Sequence, residues 1–113
     1  MIYLASPYSH AEERVRVRRY LYTREFVYRQ LVKGVPLVYP IVYCHQFARD
    51  FDAPTDAVSW LPLNAALIEA AKGLWVLKLD GWEDSVGVKM EIEKADLLGL
   101  PITYKEPLLY AEI

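Results

Sequence analysis

Hydrophobic positions along the chain alternate between two rhythms. "MIYLA" is a short unbroken apolar run halted by "SPYS", which predicts a buried strand meeting a turn at Ser6, Pro7 and Tyr8. From about His10 to Lys33 the spacing becomes helical, with Gly34 as the stop. The main apolar stripe of that helix is Val17, Tyr20, Leu21, Val27, Tyr28 and Leu31, interrupted by Arg24. A second group, Val15, Tyr22 and Phe26, falls nearly opposite. A helix apolar on two sides calls for two partners, the sheet on one and another subunit on the other.

The rhythms continue to the end of the chain. "VPLVYPIVY" predicts a second strand that Pro40 keeps short, and residues 44–59 are expected to be irregular, with "DAPTD" as loop. "SWLPLNAALIEAAKG" predicts a helix ending at Gly73, "LWVLKL" a buried strand and "DGWEDS" a loop. Residues 86–98 predict a helix closed by Gly99, "PITY" a last short strand, and "KEPLLYAEI" an apolar tail. Strands alternating with helices define an α/β fold with a parallel sheet covered on both faces. Right-handed crossovers make it a small Rossmann-like (flavodoxin-like) three-layer sandwich of four to five strands, one domain over residues 1–113. Ligands in such sheets bind beyond the carboxyl ends of the strands, so "SPYS", "YPIVYCH" and "DGWEDS" should converge on one crevice.

Composition narrows the choice of function. The net charge of −2 gives no reason to expect a nucleic-acid polymer as partner. The charge is uneven: residues 12–33 carry +4 and the remainder −6, so the first long helix presents a basic face, which is solvated, at a subunit contact or, less often, a phosphate site. A single cysteine, Cys44, excludes an internal disulfide and suits a reducing cytoplasm. No stretch is long and apolar enough to span a bilayer, and the N-terminus lacks the basic region of a signal peptide. Two histidines and one cysteine at unrelated spacings form no metal-ligand set, and no glycine-rich phosphate loop is present, so no metal and no cofactor is expected.

Candidate chemistry concentrates near the end of the chain, in "GWEDSVGVKMEIEKADLLG". Ser85 as N-cap would leave free backbone N–H groups that favour an anion. Gly87 lets a ligand approach closely, and Glu91, four residues on, shares its face. An ordinary surface glutamate on an amphipathic helix has the same pattern. In "YLASPYS", Tyr3 and Tyr8 either pack in the core or bring phenols to the crevice, one to bond a carboxylate and one to stack on a base. Trp82 is a second candidate for stacking. His45 either contacts a ligand or is structural. Cys44 and His45, as neighbours on an extended chain, point opposite ways and do not make a catalytic pair.

Together "YLASPYS", "WLPLNA" and "GWEDSVGVKMEIEKA" resemble a bacterial and phage family of unknown function related to nucleoside 2-deoxyribosyltransferases. The wider superfamily includes 2′-deoxynucleoside 5′-phosphate N-hydrolases. The resemblance implies that Glu91 is the nucleophile, six residues after Ser85 and four after Gly87, and that Tyr3 contacts it. Ser85, rather than an aspartate, resembles the nucleotide hydrolases, where it helps to hold a 5′-phosphate. One position departs: Asn64 stands where the family usually has an aspartate serving as acid or base-orienting group. An amide bonds a nucleobase but cannot protonate it at neutral pH, and Asp84 is the candidate substitute.

The implied activity is N-glycosidic cleavage of a small nucleoside or nucleotide, as hydrolase or transferase, and the implied assembly is a homodimer or higher homo-oligomer. The alternatives are a non-catalytic nucleotide-binding module or sensor, and a structural protein with an idle pocket. A glutamate so near a helix start is expected to be kept ionised.

Overall fold

The computed structural model describes residues 1–107, so most of the apolar tail lies outside the described residues. Four parallel strands form one sheet in the order β2-β1-β3-β4, with β1 at Ile2–Ala5, β2 at Leu37–Val38, β3 at Gly73–Leu77 and β4 at Ile102–Lys105. Helix α1 spans Glu13–Val32, α2 Ile41–Phe51, α3 Ala57–Ala70 and α4 Val86–Leu97. The expected Rossmann-like three-layer sandwich is what forms. Among the described residues no helix is long and apolar enough to cross a membrane.

Alternation along the strands assigns the layers. Tyr3, Ala5, Leu74 and Val76 face one side of the sheet and pack with Ile68 of α3 and with Val88 and Ala95 of α4. Leu4 and Leu77 face the other side and pack with Phe26 and Val27 of α1. All four strand residues on the first side are 0–1% exposed, so β1 and β3 are the floor of the core. Gly73 begins β3 because a Cβ there would lie 3.3 Å from the Pro101 carbonyl oxygen and 3.4 Å from the Ile2 side chain. Strand β3 runs between β1 and β4, where a Cβ would be accommodated only by small shifts of these neighbours.

Three expectations need correction. The second strand is two residues long, and Pro40 begins a helix rather than interrupting a strand. Its φ of −61° suits a first helical turn, where the missing N–H costs nothing. "IVYCHQFARDF" is therefore helical, and of residues 44–59 only 52–56 remain irregular. A short β-branched run does not distinguish strand from buried helix by itself. Second, α3 ends at Ala70 and Gly73 belongs to the next strand. Third, α1 turns Tyr20, Thr23, Phe26 and Val27 inward, a face lying between the two expected apolar groups. Leu21, Tyr28 and Leu31 face outward, 44%, 63% and 49% exposed. Gly34 ends α1 as expected, with a φ of 87° that favours glycine.

Candidate functional site

Beyond the carboxyl end of β1, helices α2, α3 and α4 leave a cavity of about 390 Å³. That lies in the range of small-molecule sites. Of the residues singled out from sequence, Tyr3, Ser6, Tyr8, Asn64, Asp84, Ser85, Gly87 and Glu91 line it.

The central contact joins the first strand to the last helix. Tyr3 is fixed by the inward pleat of β1 and is 1% exposed, and its hydroxyl donates a hydrogen bond to Glu91 Oε2. Burial raises the Glu91 carboxyl from its ordinary 4.5 to about 7, against the opposing pull of the Tyr3 donor. The residue is partly open to the cavity, but protein encloses its carboxylate on the other sides. Burial and the adjacent Glu91 charge both push the Tyr3 phenol upward, so it remains a proton donor. The expectation of a fully ionised glutamate is corrected accordingly. Glu91 is the sixth residue of α4, and a helix terminus acts mainly within its first turn, so desolvation wins.

The start of α4 is built as the sequence implies. A 3-10 turn at Trp82–Asp84 leads into Ser85, whose Oγ accepts the Val88 N–H at 3.2 Å. Asp84, at the end of that turn, is exposed at the cavity. Gly87 has a packing reason as well as an open face, because a Cβ there would lie 3.3 Å from Cβ of Ala57. Its lack of a side chain lets α3 and α4 approach each other at the cavity wall.

On the opposite wall, Tyr8 is 6% exposed and its hydroxyl lies 2.8 Å from His45 Nδ1. Burial raises the Tyr8 phenol to about 12 and lowers His45 below its ordinary 6.5. A neutral imidazole stacked on Tyr20, with centroids 4.2 Å apart, thus holds Tyr8 in place. His45 does not line the cavity, and neither does the buried Pro7. Trp82 is turned away as well, packing against Tyr104 with ring centroids 5.6 Å apart. The pair of Tyr8 and Trp82 therefore cannot enclose a base in this structure.

Among the described residues, two polar atoms at the wall are buried without hydrogen-bond partners, Ser6 Oγ and Asn64 Oδ1. Cys44 also reaches the wall, but burial raises its thiol to about 11. Cys44 and His45 lie on one helix rather than an extended chain. They form no nucleophilic pair, because His45 Nδ1 is engaged by Tyr8.

Sequence reasoning missed Asp56 and Trp60. Asp56 caps α3 by accepting the Ser59 N–H at 3.0 Å, and the D-x-x-S spacing of residues 56–59 carried that signal. Trp60 donates its indole N–H to the Pro54 carbonyl at 2.8 Å and presents an aromatic ring near the cavity, which nothing in the spacing announced. Among the described residues the cavity wall thus carries three acids, Asp56, Asp84 and Glu91, and one cation, Lys94, which pairs with Glu69 at 2.8 Å. A buried, phenol-braced carboxylate in a mainly apolar cavity can serve as a nucleophile or as a general base.

The fold and the cavity together define a Rossmann-like α/β protein with a tyrosine-braced glutamate at the carboxyl edge of its sheet. Residues 1–106 match the family described as a domain of unknown function, DUF1937, and the chain belongs to that family. No curated protein matches it.

Proposed function

We propose that the protein cleaves the N-glycosidic bond of a nucleoside or nucleoside 5′-monophosphate, with Glu91 as nucleophile. One observation carries the reading: Glu91 is partly buried at the wall of a nucleoside-sized cavity and receives the Tyr3 hydroxyl. The resemblance of the "YLASPYS", "WLPLNA" and "GWEDSVGVKMEIEKA" segments to nucleoside 2-deoxyribosyltransferases supports the same assignment.

In the first step an ionised Glu91 oxygen bonds to C1′ as the bond from C1′ to the base nitrogen breaks. The base leaves with the electron pair and takes a proton from solvent or from Asp84. The glycosyl ester is then opened at C1′, by water in a hydrolase or by a second base in a transferase. The ester electron pair returns to Glu91, and the proton of the incoming group passes to solvent. A deoxyribose is favoured, because loss of the 2′-hydroxyl removes an electron-withdrawing group next to the developing cation. Tyr3 occupies one carboxylate oxygen and orients the other. Ser85 and the start of α4 favour an anionic 5′ group, and Tyr8 offers a ring face to the base.

A second reading, a nucleotide-binding module without turnover, is favoured by Asn64, an amide at a cavity position where the resemblance implies an acid. The test mixes deoxynucleosides and their monophosphates with the protein and follows free base by chromatography. Base release that disappears in Glu91→Ala, with the fold intact by circular dichroism, supports the enzyme. Full-rate release by that variant overturns the nucleophile. Tight nucleotide binding by calorimetry with no product over a day selects the binding module.

A further inference from the structure

The outward face of α1 takes no part in the cavity, whose lining includes no residue of that helix. Along that face Val17, Leu21, Arg24, Tyr28 and Leu31 recur at alternating intervals of four and three residues. This is the spacing of a helix seam that packs against one other helix. A shallow groove runs along it, lined by Val17, Arg18, Leu21 and Glu25 among others. Leu21, Tyr28 and Leu31 are too exposed for an isolated globular chain to gain from their position.

We propose that this face is a homodimer seam, in which α1 of a second copy packs antiparallel with Arg18 of each copy against Glu25 of the other. The register follows from the sequence. When Val17 opposes the partner's Tyr28, Leu21 opposes the partner's Arg24, and the flanking positions bring Arg18 beside the partner's Glu25. The two-fold axis repeats every contact, so two such ion pairs flank the seam. A parallel pairing would instead set Arg24 against Arg24 within the seam itself, which like-charge repulsion disfavours.

The electrostatics of the seam are balanced despite the basic helix. Glu12, Glu13 and Glu25 border it together with Arg14, Arg18 and Arg24. Two other arginines are spent inside the fold: Arg16 donates to the His10 carbonyl, and Arg19 donates to the Ser9 carbonyl at 2.9 Å. Arg14 is already matched by Glu12 at 2.6 Å. The Arg24 guanidinium folds back towards the Tyr20 ring, 5.8 Å from its centroid, which leaves its methylenes to cover the partner's Leu21. Arg18 makes no ion pair among the described residues, and the partner's Glu25, only loosely paired with its own Arg29 at 3.7 Å, supplies a carboxylate. This dimer is independent of the reaction assigned to the cavity.

Sedimentation of the full chain over a range of concentrations tests the seam, using the wild type, Arg18→Glu, Glu25→Arg and the double exchange. The wild type is expected to form a dimer. Each single reversal places like charges at two sites and should weaken it by roughly tenfold or more. The double exchange should restore association to within a few-fold. Leu21→Asp, at an exposed position, provides a second disruption and should leave a folded monomer by circular dichroism. The seam is overturned by a wild type that stays monomeric throughout, by single reversals or Leu21→Asp that dimerise like the wild type, or by a double exchange that fails to recover.

Discussion

The Tyr3 hydroxyl and the Glu91 carboxylate are hydrogen-bonded across 88 positions of chain. One end is set by the pleat of a central strand, the other by the second turn of a helix that Gly87 allows close to α3. The contact places an ionisable group where water cannot fully reach it, and its proton affinity is coupled to folding.

The first consequence is a pH-dependent stability. Burial lifts the folded-state value of Glu91 from 4.5 to about 7, so between these pH values the folded protein holds a proton that the unfolded chain has lost. The contribution of the neutral carboxyl is fully present below about pH 4.5, is lost as pH rises to about 7, and stays lost above. The shift corresponds to on the order of 3 kcal/mol. Glu91→Gln, which keeps the shape without the charge, should match the wild type in thermal melts at pH 4 and exceed it increasingly towards pH 8.

The same group predicts the shape of a rate profile. If Glu91 attacks as a carboxylate, base release should rise as pH climbs through about 7 and level off above, since only the deprotonated form is nucleophilic. A profile flat from pH 5 to 8 would remove Glu91 as the group that limits the reaction.

Tyr3→Phe removes the donor that holds the Glu91 value down. The carboxyl should then titrate at higher pH, and the rise in the rate profile should move up with it. Loss of a buried bond to a charged group should also lower stability by about 1–3 kcal/mol, at alkaline pH rather than acid. Carboxyl carbon resonances read the titration directly, and urea melts at pH 5 and pH 8 read the stability.

Much of this was legible before any coordinates. "MIYLA" and "LWVL" are unbroken apolar runs too short for helices, so they read as buried strands, and their parallel order follows from the helices between them. Glu91 and Gly87 share a face because they are four residues apart in a helix whose start Ser85 announces. What was hidden depends on contacts between distant parts of the chain. Trp82 looked like a stacking residue from its loop, but Tyr104 lies close enough to take its ring. "PIVY" reads as strand from its β-branched residues, yet burial of Cys44 and His45 against Tyr8 and Tyr20 favours a helix. The ionisation of Glu91 is hidden for the same reason: helix position is local and readable, desolvation is neither.

Asn64 offers a test of how much an acid is worth. In the glycosidic reading, Asn64→Asp restores a carboxyl to a cavity that otherwise relies on the exposed Asp84 for a proton. Base release should increase by about a hundredfold if protonation of the leaving base limits the rate, the modest end of general-acid effects. Under the binding-module reading the same substitution leaves product undetectable, and chromatography distinguishes the two.

Ser85 has two separable duties, and two substitutions divide them. Its hydroxyl accepts the Val88 N–H, so Ser85→Ala should cost about 1 kcal/mol of stability, whereas Ser85→Gly should cost only a few tenths. Both remove the hydroxyl from the cavity wall equally. If that hydroxyl also contacts a 5′-phosphate, the two variants should lose affinity for a deoxynucleoside monophosphate to the same extent while melting at different temperatures. Affinity for the unphosphorylated nucleoside should be unchanged in both. If monophosphate binding instead follows stability, weakening in the alanine variant and persisting in the glycine one, the serine acts on the ligand only through the helix it caps.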